Sequence, residues 1–294
     1  MSIRGPYMSL DITLTNEIIE KVGKLPMARR QKIFAEIGKM EWDRCADSLH
    51  YWLDPTAHYI PYVYTFDPHP MHKCLLCDPD NEEVHPTSKH KAHLELFHNK
   101  TNAGYEEMRQ YFKEVPAIRA LPGKEYFGVI AQYWLYQPLL LVEKSRDMMA
   151  TWMTVAFYTW DTIFHSGRQN FFQSQTAKKT RELVKRAKFI YEHQPKFIKD
   201  QHRFKFAIGV DGAGEFVCDS LNSEIIGVPQ GSDQVRQYHP SGIFTDETAF
   251  HSDAGETFAA IKPAISNGGR YTGVSSAFPG WFQLACNDQL HLDL

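Results

Sequence analysis

The sequence lacks any long apolar run. Its most hydrophobic stretch, "WLYQPLLLV" at 134–142, falls far short of the roughly 20 residues that a membrane-spanning helix needs. The opening residues, "MSIRGPYMSLDITLTNEIIEK", contain no apolar core of the secretory kind, so an intracellular chain is expected, with no membrane partner. Cysteine is scarce and odd in number: Cys45, Cys74, Cys77, Cys218 and Cys286. That scatter argues for reduced thiols, and only Cys74 and Cys77 stand close enough to act together. A dominant charge is missing as well. With 32 Lys and Arg against 35 Asp and Glu, the net charge of −3 excludes a globally polyanion-binding surface. Contact with nucleic acid would have to come from a local basic patch. There is no internal repeat and no low-complexity tract.

What is present suits one large domain or two ordinary ones, since domains run on the order of 100–200 residues. The 294 residues are 43% hydrophobic and 13% aromatic, ample for a buried core. Residues 14–52 space Ile18, Ile19 and Val22, then Ile33, Phe34 and Ile37, on repeating helical faces. We read 1–53 as an N-terminal helical region, 54–115 as an insert with a connecting helix, and 116–294 as an α/β domain.

In that last part strands and helices alternate. An apolar strand at 139–143 precedes the helix "TWMTVAFYTWDTIF", and "NFFQSQ" precedes a helix over 176–193. "FKFAIGVDG", "SEIIGVP", "SGIFTDETAF" and "GRYTGVSSAF" supply further strands, the last two running into polar tips. The pattern predicts a mostly parallel sheet with helices on both faces. Ligands of such sheets bind beyond the carboxyl ends of the strands.

Glycine is absent where one motif would demand it. "LLLVEKSRDMMATW" at 139–152 has the strand, turn and helix of a phosphate loop, yet neither its glycines nor its lysine at the usual place. If Thr151 is the closing hydroxyl, Ala150 holds the lysine position and Met149 the second glycine. On the loop alone a buried strand and an amphipathic helix, with Lys144 and Arg146 solvated, is the better reading; yet Lys144, Ser145 and Arg146 interrupt an apolar run where a helix N-terminus attracts anions. About a hundred residues later, "GIF" ends in Thr245-Asp246-Glu247. Such a pair suits a nucleotide hydrolase, the aspartate serving Mg²⁺ and the glutamate the attacking water. By itself it better describes a solvated turn, and it gains weight from its position after the candidate loop. The tip "TGVSSAF" at 272–278 carries small hydroxyl residues of the kind that sense a γ-phosphate, and in isolation it equally describes a plain edge loop.

Two other features carry possible chemistry. Cys74 and Cys77 form C-x₂-C, and His93 and His98 follow after fifteen residues as H-x₄-H. Two thiolates and two imidazoles suit tetrahedral Zn²⁺. His90, which a twelve-residue gap selects, stays open as an alternative fourth ligand. The helix "TAKKTRELVKRAKFIYEH" bears Lys178, Lys179, Arg181, Lys185, Arg186 and Lys188, either a solvated face or a contact for DNA phosphate.

Together, "EKSRDMMATW", "PQGSDQVRQYHPSGIFTDETAF" and "GGRYTGVSSAFPGWF" resemble the large terminase subunit of tailed bacteriophages, over roughly residues 116–285. The resemblance implies a P-loop NTPase fold of the RecA/ASCE-like type, with ATP and Mg²⁺ as cofactors. It also implies an ATPase that drives double-stranded DNA into a procapsid. In that family the loop lysine often moves to the loop's beginning, which Lys144 matches. Ser145, Arg146, Asp147, Met148, Met149, Ala150, Thr151 and Trp152 then form the nucleotide loop, with Arg146 on the phosphates. Thr151 and Asp246 correspond to the Mg²⁺ ligands and Glu247 to the catalytic acid. Ser275 and Ser276 fall in the motif coupling hydrolysis to movement. Arg236 lies where the family often places an arginine that reaches a neighbouring subunit's nucleotide. Implied partners are a homo-oligomeric ring, a portal protein and a small terminase subunit, in the cytoplasm of the host. "CNDQLHLDL" is too short for the family's RNase H-like nuclease, so no DNA cleavage is expected, and the chain is read either as an isolated ATPase module or as one half of a split enzyme whose partner is a separate nuclease chain. Met149 departs from the family pattern and predicts weaker phosphate approach. Rival readings are a helicase-like remodelling ATPase and a non-hydrolysing, zinc-containing nucleotide- or DNA-binding protein.

Overall fold

A computed structural model of the protein describes residues 21–58, 61–66, 118–145, 148–209, 212–231, 240–290 and 292. Helices α1 (Met27–Asp47) and α2 (Leu49–Leu53) come first. Ser48 divides them, its hydroxyl accepting the Tyr51 amide as a helix cap. Strands β1 (Tyr64–Phe66) and β2 (Ile118–Ala120) pair antiparallel. Next follow α3 (Glu125–Tyr136), β3 (Leu139–Glu143), α4 (Ala150–Phe164), β4 (Gln169–Gln173), α5 (Ala177–Glu192) and the short α6 (Lys196–Lys199). Strands β5 (Lys205–Ala207), β6 (Glu215–Cys218), β7 (Ser223–Val228) and β8 (Gly242–Asp246) lead to α7 (Ala254–Ser266), β9 (Arg270–Ser275) and α8 (Trp281–Cys286).

Seven of these strands form one sheet in the order β3-β9-β8-β4-β7-β6-β5. The run from β3 to β7 is parallel, and β6 and β5 close the edge antiparallel. The antiparallel edge, and β6 itself, do not follow from the alternating pattern. Their cause is connection length: only Asp219–Asn222 separates β6 from β7, too short for the crossover that parallel pairing requires.

Neighbouring strand residues point to opposite faces, so the sheet builds two cores. Phe172, Phe244 and Val274 pack under α4 and α5, whereas Phe171, Ile243 and Tyr271 pack against Phe258 and Ile261 of α7. The larger core takes in Cys45, Leu49 and Trp52 of the N-terminal helices. Buried polar bonds fasten this union: Trp52 Nε1 donates to Gln194 Oε1 at 2.9 Å, and Trp160 Nε1 to the Cys45 carbonyl at 2.6 Å. Helix α4 runs through the centre almost wholly buried, and its Thr154, Thr159 and Thr162 remain satisfied by donating to carbonyls one turn back.

Close approach requires glycine at position 227. A Cβ on Gly227 of β7 would lie 2.5 Å from the Ala213 carbonyl oxygen and 2.9 Å from Thr180 Cγ2. Backbone cannot retreat as a flexible side chain does, so Gly227→Ala is expected to destabilise the fold by about 1–3 kcal/mol. Denaturant melts read this directly; a variant as stable as the wild type contradicts the packing described.

No helix among the described residues is long and apolar enough to cross a membrane.

Candidate functional site

The tips of β3, β9 and β8 stand side by side, because β9 is inserted between the other two. This order brings together groups far apart in sequence. Lys144 leaves the end of β3, with its amide donating to the Ser275 carbonyl of β9 at 2.9 Å. Its Nζ reaches Glu247 Oε1 at 3.4 Å. Thr151, in the first turn of α4, donates its hydroxyl to Asp246 Oδ1 at 2.9 Å across 95 residues. Ser276 lies just past the β9 tip, its hydroxyl 3.5 Å from Glu247 Oε2. The five side chains form a single polar cluster at the carboxyl edge of the sheet.

Local backbone geometry aims them. Met149, at the N-cap of α4, adopts the left-handed conformation with φ 53° and ψ 16°. The glycine missing from the sequence is thus still called for by the backbone, and methionine bears the strain, of order 1–3 kcal/mol for a non-glycine residue there. Glu247 is left-handed too, with φ 56° and ψ 42°. Its turn is clamped by three bonds. Thr248 Oγ1 donates to the Thr245 carbonyl at 2.9 Å, His251 Nε2 to the Asp246 carbonyl at 3.1 Å, and the Ala249 amide to Ser275 Oγ at 3.2 Å. Carbonyl acceptance fixes the proton of His251 on Nε2, and burial lowers that ring's pKa below the ordinary value.

Electrostatics bind the cluster further. Burial pushes the Asp246 carboxyl above its usual range, against the Thr151 hydrogen bond and the charges of Arg186 and Lys144, which draw it down. An oxygen pair of this kind, one hydroxyl and one carboxylate, fits a hard divalent cation better than a soft one.

The residues expected from sequence divide into four groups. Lys144, Thr151, Asp246, Glu247 and Ser276 converge. Ser275 lies beside them, fully buried and occupied by the Ala249 amide. In the loop, Ser145 and Met148 are exposed, the Met148 carbonyl accepting from the Tyr126 hydroxyl at 3.1 Å, while Trp152 is half-buried against Arg186. Ala150, at the ordinary lysine position, is only 3% exposed and belongs to the hydrophobic core. Arg146, Asp147, Arg236 and the zinc set Cys74, Cys77, His90, His93 and His98 lie outside the described residues. Among the described residues no group of three or more His, Cys, Asp or Glu is placed to hold a metal.

On α5 the positive charges have local occupations. Lys185 pairs with Glu182 at 2.8 Å, Lys188 with Glu192 at 3.5 Å, and Arg181 donates to the Gly212 carbonyl. Arg186 turns toward the cluster, a placement that the helix sequence hints at only through its position three residues after the buried Leu183 and four before the buried Ile190.

The fold and the cluster define an α/β protein with its polar groups gathered at the carboxyl edge of a mostly parallel, seven-stranded sheet. No protein-family model matches the chain, and no characterised protein sequence does. Among solved structures it is similar to a mutant large terminase ATPase domain of Thermus phage P74-26, at 12% identity and TM-score 0.37, covering 49% of this chain and 61% of that one. It is similar to the large terminase of bacteriophage HK97, at 10% identity and TM-score 0.43, covering 53% of this chain and 34% of that one. A third is the large terminase of a thermophilic bacteriophage in complex with ADP, at 11% identity and TM-score 0.40, covering 52% of this chain and 39% of that one. The chain therefore spans less than two thirds of each of these three proteins.

Proposed function

We propose that this chain is a P-loop NTPase domain of the terminase type that hydrolyses ATP. The observation that carries this reading is the convergence, from two strand tips and one helix N-terminus, of Lys144 on Glu247 and of Thr151 on Asp246. A cation, a hydroxyl and two adjacent carboxylates at that place are the groups that phosphoryl transfer to water requires.

Each group has a distinct task. Lys144 and the first amides of α4 meet the phosphate oxygens, where the helix N-terminus favours negative charge. Thr151 and Asp246 would hold Mg²⁺, which would supply positive charge against the phosphates. Glu247 accepts a hydrogen bond from the attacking water and then its proton. The water oxygen bonds to the γ-phosphorus as the bond to the β–γ bridging oxygen breaks, releasing ADP. Ser276 bonds to Glu247 and continues from β9, so a shift of the glutamate is passed to the strand that separates the two halves of the site. We further propose that this motion drives double-stranded DNA in a ring of subunits, with portal and small terminase proteins as partners.

ATP turnover by the purified chain, with and without duplex DNA, tests the reading. Magnesium-dependent turnover that rises with DNA is expected. A background rate indistinguishable from that of Lys144→Ala and Glu247→Ala variants would refute it.

A further inference from the structure

Among the described elements helix α5 is the most basic, yet one of its cations has left the solvent face. The Arg186 guanidinium lies over the Trp152 ring, 5.1 Å from its centroid. Phe189, one turn further along α5, meets the same ring edge-on at 5.8 Å. Trp152 directly follows Thr151, whose hydroxyl is bonded to Asp246. The stack thus fixes Arg186 beside the proposed phosphate and Mg²⁺ site, while Lys185 and Lys188 are matched to glutamates on their own helix.

We propose that Arg186 is a nucleotide-binding residue: its guanidinium, held against Trp152, supplies a second cation for the terminal phosphates of a nucleoside triphosphate. This rests on the nucleotide-hydrolase reading given above. Charge balance supports it. Asp246 and Glu247 with Lys144 alone carry a net negative charge and would repel a triphosphate; Arg186 makes the described cluster neutral. Burial opposes the charge on Arg186, and Asp246, followed by Glu182, offsets part of that effect. Of the two cations that draw the Asp246 carboxyl down, Arg186 acts more strongly than Lys144. A planar, stacked guanidinium also loses little freedom on gripping phosphate and offers paired N–H donors that lysine lacks.

The test is calorimetric titration with Mg·AMPPNP, Mg·ADP and a short DNA duplex on wild type, Lys144→Ala, Arg186→Met, Arg186→Gln and Arg186→Lys. Methionine keeps the contact with Trp152 and removes the charge; glutamine provides a second neutral variant should methionine disturb folding, which circular dichroism reads. Both neutral variants are expected to bind AMPPNP about 10–100-fold more weakly, the worth of a charged hydrogen bond. ADP should lose less, the duplex should bind as before, and lysine should recover part of the AMPPNP affinity. A folded neutral variant with wild-type AMPPNP affinity overturns the proposal, as does a loss confined to the duplex. If Lys144→Ala weakens AMPPNP and Arg186→Met does not, this inference alone falls. If the wild type fails to bind AMPPNP, the hydrolase reading falls and takes the inference with it.

Discussion

Glu247→Gln is expected to lower ATP turnover by about 10²–10⁴-fold, the range of a positioned general base. Affinity for ATP should be largely kept. Glutamine has nearly the shape of glutamate and still offers an oxygen to the Ser276 hydroxyl, which stands 3.5 Å away in the native arrangement. What it cannot do is take a proton from water. The left-handed turn at Glu247, clamped by Thr248, His251 and Ser275, is made by backbone and neighbours, so it survives the exchange. Loss of turnover therefore reports chemistry and not collapse of the turn. Steady-state rates beside nucleotide titrations decide the matter, and a variant with unchanged kcat removes Glu247 from the reaction.

Lys144→Ala is expected to cost about 10²–10³-fold in kcat/KM, as when one preorganised donor to developing charge is removed. The informative companion is Lys144→Ala with Ala150→Lys, which returns the lysine to the ordinary position of a phosphate loop. Rescue is not expected. Ala150 is 3% exposed among the aromatic and aliphatic side chains around α4, so an ammonium there would be buried without a partner. The desolvation of such a charge costs several kcal/mol. The double variant should be both inactive and less stable than Lys144→Ala, by turnover and by denaturant melts. Restored turnover would show that the phosphates are approached from position 150 after all.

The same residue shows why the loop looked wrong as a sequence. A pattern search asks for lysine beside the closing hydroxyl, but here that place belongs to the core. In the proposed site the cation comes instead from the end of β3, the strand leading into the loop, where Lys144 Nζ lies 3.4 Å from Glu247. Met149 tells a related story: the left-handed backbone that favours glycine is present at φ 53°, although the glycine is not. Composition hid a geometry that the chain still adopts.

Much of the fold was legible because its causes are local. The apolar run 139–143 is β3 to the residue, and the periodicities expected to give helices at 151–164 and 176–193 do so within a residue or two. The Asp246-Glu247 pair could be singled out because its two carboxylates are adjacent in the chain and follow an apolar strand. Strand β5 falls within the expected "FKFAIGVDG", but β6 and the antiparallel pairing of this edge were not legible, since both strands are short and their direction depends on the length of the following turn.

Sequence by itself determined the alternation of strands and helices, the mostly parallel sheet and the residues worth watching at three strand tips. It did so because periodicity and neighbouring polar groups are properties of short windows. Only the tertiary structure decided that β9 lies between β3 and β8, and hence that Lys144 meets Glu247 and Thr151 meets Asp246. It alone turned Arg186 from a charged helix face toward that cluster. Strand order and helix rotation follow from which apolar faces pack together across the whole chain, and no short window of residues contains that information.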